Sequence, residues 1–173
     1  MPATATSDLD VTLPSDTEIR MTRSFAAPPR LVWAAFTEPD LMQQWMTGPS
    51  GWVLKVIGGD VRVGASYRLE WHRASDGATM GAGGVYLEVR KPERLSCSER
   101  FDDPWYPGEA INSYDLEARG AGTILHQHFR YESKAARDMA LSSHMDDGMR
   151  ESYRRLDGIL AEAIAREAGT LGA

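Results

Sequence analysis

The chain predicts an α+β fold: a curved antiparallel sheet of about seven strands holding one long C-terminal helix, with two short helices after the first strand. Three observations point there. Segments of alternating character follow one another from Trp52 to Glu132 with brief turns between them, whereas parallel strands need long crossovers. From Ser143 to Ala168, residues Met145, Met149, Ser152, Leu156, Leu160 and Ala163 fall three or four apart, drawing one apolar stripe down a helix. A sheet with one wet face must cover the other. This helix, roughly 37 Å long at 1.5 Å per residue, is the only amphipathic element long enough to do so.

Taken in order, residues 1–16 are polar, rich in Thr, Ser, Pro and Asp, and read as a mobile tail. Residues 17–169 form one domain. Ile19, Met21, Arg23 and Phe25 alternate with Arg20, Thr22 and Ser24 as a first strand. Ala27-Pro28-Pro29 ends it. Short helices then span Arg30–Thr37 and Glu38–Met46, the second with Pro39 in its first turn. Strands follow at Trp52–Ile57, Ser66–Arg73, Thr79–Arg90, Leu95–Phe101, Glu109–Arg119 and Thr123–Glu132, and Ser75-Asp76-Gly77 is a tight hairpin signal. Ser133 caps a short helical lead-in over residues 134–141. Ser143 is expected to cap the long helix, with Asp146 completing a weak capping box. The helix's opposite face carries Asp146, Asp147, Arg150, Glu151, Arg154, Arg155 and Asp157, with Asp146–Arg150 and Glu151–Arg155 at ion-pair spacing. Gly148 breaks the pattern, costing about 1 kcal/mol against Ala, so it marks close backbone approach or open space.

Composition narrows the function. The chain has 173 residues, 42% hydrophobic, with a net charge of −6. It has no basic stripe, which argues against a nucleic-acid partner, and no apolar run long enough for a membrane span. The N-terminus lacks a signal pattern, so a cytoplasmic location is expected. The lone Cys97 cannot form an internal disulfide.

Each candidate group has a plain structural alternative. His126 and His128 share one strand face at metal-pair spacing, but no third ligand is identifiable, so they are expected to face solvent and no metal is assigned. Leu125, Gln127, Phe129 and Tyr131 take the covered face. Cys97 reads as a buried strand thiol. No catalytic motif is present, no cofactor is implied, and Gly81-x-Gly83-Gly84 suits a bulge or close helix–strand packing better than a phosphate loop. Glu99 shares a face with Leu95, Cys97 and Phe101. It is either an inward carboxyl of a functional site or a rim carboxylate bonded to a neighbouring strand. The Trp105-Tyr106 loop is either a lid or a packed turn.

Several segments resemble a known family. Phe25-Ala26-Ala27-Pro28, Leu31-Val32-Trp33, Thr37-Glu38-Pro39 and Gln44-Trp45 are similar to the N-terminal signature of bacterial homologues of the activator of heat-shock protein 90 ATPase. These belong to the START/Bet v-like helix-grip superfamily, SRPBCC. Asp60-Val61-Arg62-Val63-Gly64, Gly84 to Val89, Pro92-Glu93-Arg94-Leu95 and Ser152-Tyr153-x-Arg155-Leu156-Asp157 continue the match, and Glu99 to Glu109 is typical of one subgroup. Two positions depart from it: His144 replaces a glycine and Gln127 an aliphatic residue, and each can bring a polar group to the cavity.

The resemblance implies a helix-grip fold with a cavity between sheet and C-terminal helix. In that topology Trp45, Trp71, Met80, Phe101, Tyr114, Met145 and Met149 converge, giving adaptable methionines and aromatic rings with polar handles. With Glu99, Gln127, His144 and Ser152 they form the expected ligand-binding set. Three functions are open: binding of a small hydrophobic or amphipathic ligand without chemistry, the reading favoured by elimination; co-chaperone-like stimulation of a heat-shock ATPase; and a cyclase- or hydratase-like activity using Glu99, Tyr114 or His144. Homodimerisation through an edge strand is compatible with each.

Overall fold

The computed structural model describes residues 8–171, with side chains to residue 169. Eight antiparallel strands form one sheet: β1 (Asp10–Thr12), β2 (Glu18–Phe25), β3 (Trp52–Ile57), β4 (Ser66–Arg73), β5 (Ala78–Arg90), β6 (Arg94–Phe101), β7 (Ala110–Arg119) and β8 (Gly122–Arg130). Their order across the sheet is β1-β2-β8-β7-β6-β5-β4-β3. Helices α1 (Pro29–Thr37) and α2 (Pro39–Trp45) follow β2, and α3 (Lys134–Ser142) and α4 (Met145–Leu171) close the chain. This is the predicted helix-grip architecture with one strand more than expected.

The extra strand corrects the reading of residues 1–16 as a tail. β1 pairs with β2 through Asp10↔Thr22, Val11↔Met21 and Thr12↔Arg20. Leu9 is buried in the core, and Arg150 Nη1 donates both to Asp8 Oδ1 at 2.6 Å and to Leu9 O at 2.8 Å. Three residues are too few to show a period of two. Residues 1–7, the rest of that predicted tail, lie outside the described residues.

The short helices form where prolines allow them. Pro29 and Pro39 occupy first helical positions, where a missing N–H costs nothing. Trp45 Nε1 donates to Ala35 O at 2.9 Å and ties α2 to α1. At α3, the predicted cap is present: Ser133 Oγ accepts from Ala136 N at 3.1 Å.

The start of α4 differs from the prediction. Ser143 closes α3 instead, with its Oγ donating to Ala140 O at 2.5 Å. His144 then turns the corner with φ of 58°, and α4 begins at Met145. A left-handed residue suits glycine, which explains the glycine that the resemblance expects at this position. The predicted ion pairs form: Glu151–Arg155 at 2.7 Å and Asp146–Arg150 at 4.0 Å.

On the inward side of α4, Ser152, Tyr153, Leu156 and Leu160 are buried. Asp157 lies at the edge of this face, its side chain 41% exposed. Its carboxylate receives both Nη atoms of buried Arg23, at 2.8 and 2.6 Å, joining helix to sheet. Arg23 also stacks over the Phe25 ring at 4.8 Å.

Of the two readings of Gly148, open space is correct, because a Cβ there would meet nothing within 4 Å. Gly148→Ala is therefore expected to raise stability by about 0.5–1 kcal/mol through helix propensity alone. A urea-denaturation midpoint that moves up without a change in slope would bear this out.

Candidate functional site

A small cavity lies between the sheet and the α1–α2 pair. Its volume is about 40 Å³. Phe36 of α1, Met42 of α2 and Met46 just after it form one wall, while Tyr67 and Leu69 of β4, Tyr86 of β5 and Leu95 and Cys97 of β6 form the floor. Glu99 and Tyr114 supply polar groups. A larger hollow of about 500 Å³ lies over Gly58, Gly59, Asp60, Arg62 and Gly64–Ser66. That hollow is an open depression on a surface loop, and its Arg62 is already 3.8 Å from Asp60. The cavity under α1 and α2 is the better site, because apolar walls with a few polar groups are what hold small molecules.

Glu99 gives the cavity its character. Strand alternation sends it to the inner face, as in the first of the two sequence readings, and its partner Asn112 is on the adjoining strand, as in the second. It is half-buried, with part of its surface facing the cavity. Burial pushes its carboxyl above the ordinary glutamate range, and a hydrogen bond from Asn112 offsets this only in part. Among the described residues, no Lys, Arg or His forms an ion pair with it. Asn112 itself is 1% exposed, and its Oδ1 has no hydrogen-bond partner.

Burial acts on the neighbouring hydroxyls and the thiol in the same direction. Burial raises Tyr114 well above the usual phenol value, with the nearby Cys97 and Glu99 adding to it. Cys97 is pushed up to about 12 by burial, so it is a poor thiolate and a poor nucleophile. Tyr86 is likewise pushed up to about 12.

The direction of the Glu99 shift sets a pH dependence. In the folded state the carboxyl keeps its proton to higher pH than in the unfolded chain. Between the two values the unfolded state binds fewer protons, so this group's contribution to stability falls as pH rises. Glu99→Gln removes the titration while keeping the shape. It is expected to melt higher than the wild type at pH 8, with the gap narrowing toward pH 4.5. Parallel melting curves across that range would contradict the assignment.

The expected site residues divide between this cavity and its surroundings. Glu99 and Tyr114 line it. Trp45 is fully buried and stacks on Tyr153 with centroids 5.7 Å apart. Trp71, Met80 and Phe101 belong to a second cluster with Met42, Leu54 and Leu69, where Trp71 Nε1 donates to Met46 O at 2.9 Å. Gln127 is buried, does not line the cavity and accepts from Tyr153 Oη. Ser152 is buried within α4.

Met145, Met149 and His144 lie elsewhere. The two methionines pack half-buried against the main core, Met145 Sδ accepting from Tyr131 Oη at 3.7 Å. His144 is exposed at the α3–α4 corner and does not reach the cavity. Met42, in α2, and Met46, just after it, thus take the place expected for the methionines of α4, with α2 in contact with both α4 and β3. Met42 and Met46, four apart, and Tyr67, two before Leu69 on an inward face, carried the signal that could have found the true wall.

The remaining alternatives resolve as follows. Tyr106 is 4% exposed, edge-on to Tyr131 at 5.0 Å, so its loop is a packed turn. His126 and His128 lie half-buried on the outer face, and Arg20 Nε donates to His128 Nε2 at 2.6 Å. No cluster of three or more His, Cys, Asp or Glu among the described residues is placed to hold a metal. No described helix is long and apolar enough to cross a membrane.

A twisted antiparallel sheet gripping a C-terminal helix, with a small cavity under the inserted helices, defines an α+β helix-grip protein of the SRPBCC kind. The chain belongs to the family described as Activator of Hsp90 ATPase homolog 1-like protein, which residues 26–161 match. Among solved structures, a protein of Rhodobacter sphaeroides is similar at 32% identity and a TM-score of 0.84, covering 90% of this chain and 99% of the other. A Chromobacterium violaceum protein is similar at 30% identity and a TM-score of 0.74, over 84% and 98%. The AHSA1-like protein of Aeromonas hydrophila shares the fold at 17% identity and a TM-score of 0.63, over 81% and 93%. No functionally curated protein matches the sequence.

Proposed function

We propose that the chain binds a small hydrophobic or amphipathic molecule in the cavity beneath α1 and α2. One observation carries this reading: an apolar, aromatic- and methionine-lined cavity ends in a carboxyl group with no cationic partner among the described residues. Placing such a group in a core is costly. A site that orients a ligand gives it a use, and perturbed carboxyls concentrate at functional sites.

The cavity as it stands is small beside the 300–1,000 Å³ or so of typical ligand sites. Met42 and Met46 are the adjustable wall. Both are unbranched, Met42 in the middle of a seven-residue helix and Met46 just past its end, so rotamer changes and a modest shift of α2 enlarge the space without disturbing the sheet.

The test is ligand retention and thermal shift. Native mass spectrometry of the freshly purified protein is expected to show a bound small molecule. A panel of fatty acids, sterols and flavonoids is expected to contain members that raise the melting temperature. A ligand at a hundred times its dissociation constant stabilises by about 2.7 kcal/mol. A protein that carries nothing and responds to none of the panel has a filled core here, and the proposal falls.

A further inference from the structure

The wall that must move to enlarge the cavity is tied down unevenly. The body of α2 is anchored on two sides: Trp45 Nε1 donates to Ala35 O of α1 at 2.9 Å, and Gln43 Oε1 accepts from Val56 N of the edge strand β3 at 3.0 Å. After Trp45 the chain runs through Met46, which lines the cavity, into the turn of residues 47–51 and on to β3. This turn has little packing of its own. Gly48 and Gly51 are left-handed, with φ of 70° and 91°, and a Cβ on either would meet nothing within 4 Å.

Two side chains from outside hold the segment down, each on a backbone carbonyl. From the sheet, Trp71 Nε1 donates to Met46 O at 2.9 Å. From α4, Arg155 Nη1 donates to Gly48 O at 2.7 Å, while its Nη2 donates to Glu151 Oε1 at 2.7 Å. Trp71 is buried, whereas the Arg155 side chain is 27% exposed. The arginine therefore makes the outer bond. Water reaches it first, and Glu151 keeps the guanidinium in place once the carbonyl is released. The two glycines let the chain between them change direction at small cost.

We infer that residues 46–51 are the gate of the cavity and that Arg155 is its latch. When Arg155 lets go of Gly48 O, the turn lifts, Trp71 loses its acceptor and Met46 swings off the cavity. The body of α2 keeps its bonds to α1 and β3. The gate's purpose rests on the binding function proposed above, but its motion is measurable without any ligand.

Cys97, the chain's single cysteine, is buried and lines the cavity, so its labelling reports on the gate. The full chain is treated with methyl methanethiosulfonate at pH 8 without denaturant and followed by intact mass. Arg155→Met keeps the aliphatic stem and drops the donors. It is expected to label about tenfold faster than the wild type or more, the loss of one hydrogen bond from a charged group read as an opening equilibrium. Arg155→Lys restores a donor and should label more slowly than Arg155→Met. Arg150→Met frees the N-terminal strand from the same helix, at Asp8 Oδ1 and Leu9 O, and should label like the wild type. Hydrogen exchange of the indoles gives a second reading on the unaltered chain: Trp71 Nε1–H should exchange well before Trp45 Nε1–H, and Arg155→Met should hasten the first alone. Labelling of Arg155→Met no faster than the wild type, equal acceleration by Arg150→Met, or a Trp71 indole as protected as that of Trp45 would overturn the gate and leave the binding function standing. Labelling accelerated as expected, in a protein that carries no small molecule and answers none of the earlier panel, would uphold the gate and remove the binding function.

Discussion

Gly84→Ala is expected to destabilise the fold by about 3 kcal/mol or more, the sum of a forced backbone shift and a lost buried hydrogen bond. A Cβ at this position would overlap the Ser98 carbonyl oxygen of the adjoining strand. Gly84 lies opposite Tyr67 on β4, and Tyr67 Oη crosses above β5 to donate to Ser98 O on β6 at 2.6 Å. Val85 N meanwhile donates to Ser98 Oγ at 3.1 Å. The glycine leaves room for this bond across two strand intervals, and Tyr67 lines the cavity, so the substitution disturbs fold and site together. Urea denaturation at fixed pH measures the cost. Stability within 1 kcal/mol of the wild type would show that β5 and β6 part easily here.

Tyr153→Ala should cost about 3–5 kcal/mol, the range for removing a fully buried aromatic ring. Tyr153 is where α4 meets every other layer. Its ring packs against Phe25 at 5.6 Å, Trp45 at 5.7 Å and Phe36 at 6.4 Å between centroids, and the Arg23 guanidinium lies 5.7 Å from it. Tyr153→Phe keeps the ring and removes only the hydroxyl, leaving Gln127 Oε1 buried without its donor, a loss of about 1–2 kcal/mol. The contrast between the two variants separates packing from hydrogen bonding. Equal losses would mean that the hydroxyl matters more than the ring, against the packing seen.

Periodicity made most of the architecture legible. The strands at Trp52–Ile57 and Ser66–Arg73 were placed to the residue, because alternation and turn glycines agree there. The same alternation puts Glu99 on the face of Leu95, Cys97 and Phe101 but leaves its inward and rim readings open. Its partner was not legible, since Asn112 is brought beside it by the β6–β7 register, Cys97 opposite Asn112, which no local pattern encodes. Tyr153 was hidden by phase: positions 152 and 153 both fit a stripe through Met149 and Leu156, and only packing decides between them. The choice of cavity wall was also tertiary. An amphipathic helix declares which of its faces is buried, not which neighbour it meets. Here α4 meets α1 and α2, and these pack in turn on the sheet, α2 on β3 and α1 on β7 and β8.

The central claim is that ligands enter beneath α2, against Glu99 and Tyr114, and not along α4. Methionine-methyl NMR tests it directly, because the two walls carry different methionines. With carbon-13 methyl-labelled protein and each Met assigned by substitution, titration with any panel ligand that raises the melting temperature should move the Met42 and Met46 methyl resonances and leave Met145 and Met149 in place. Shifts confined to Met145 and Met149 would put the ligand against α4 and contradict the account.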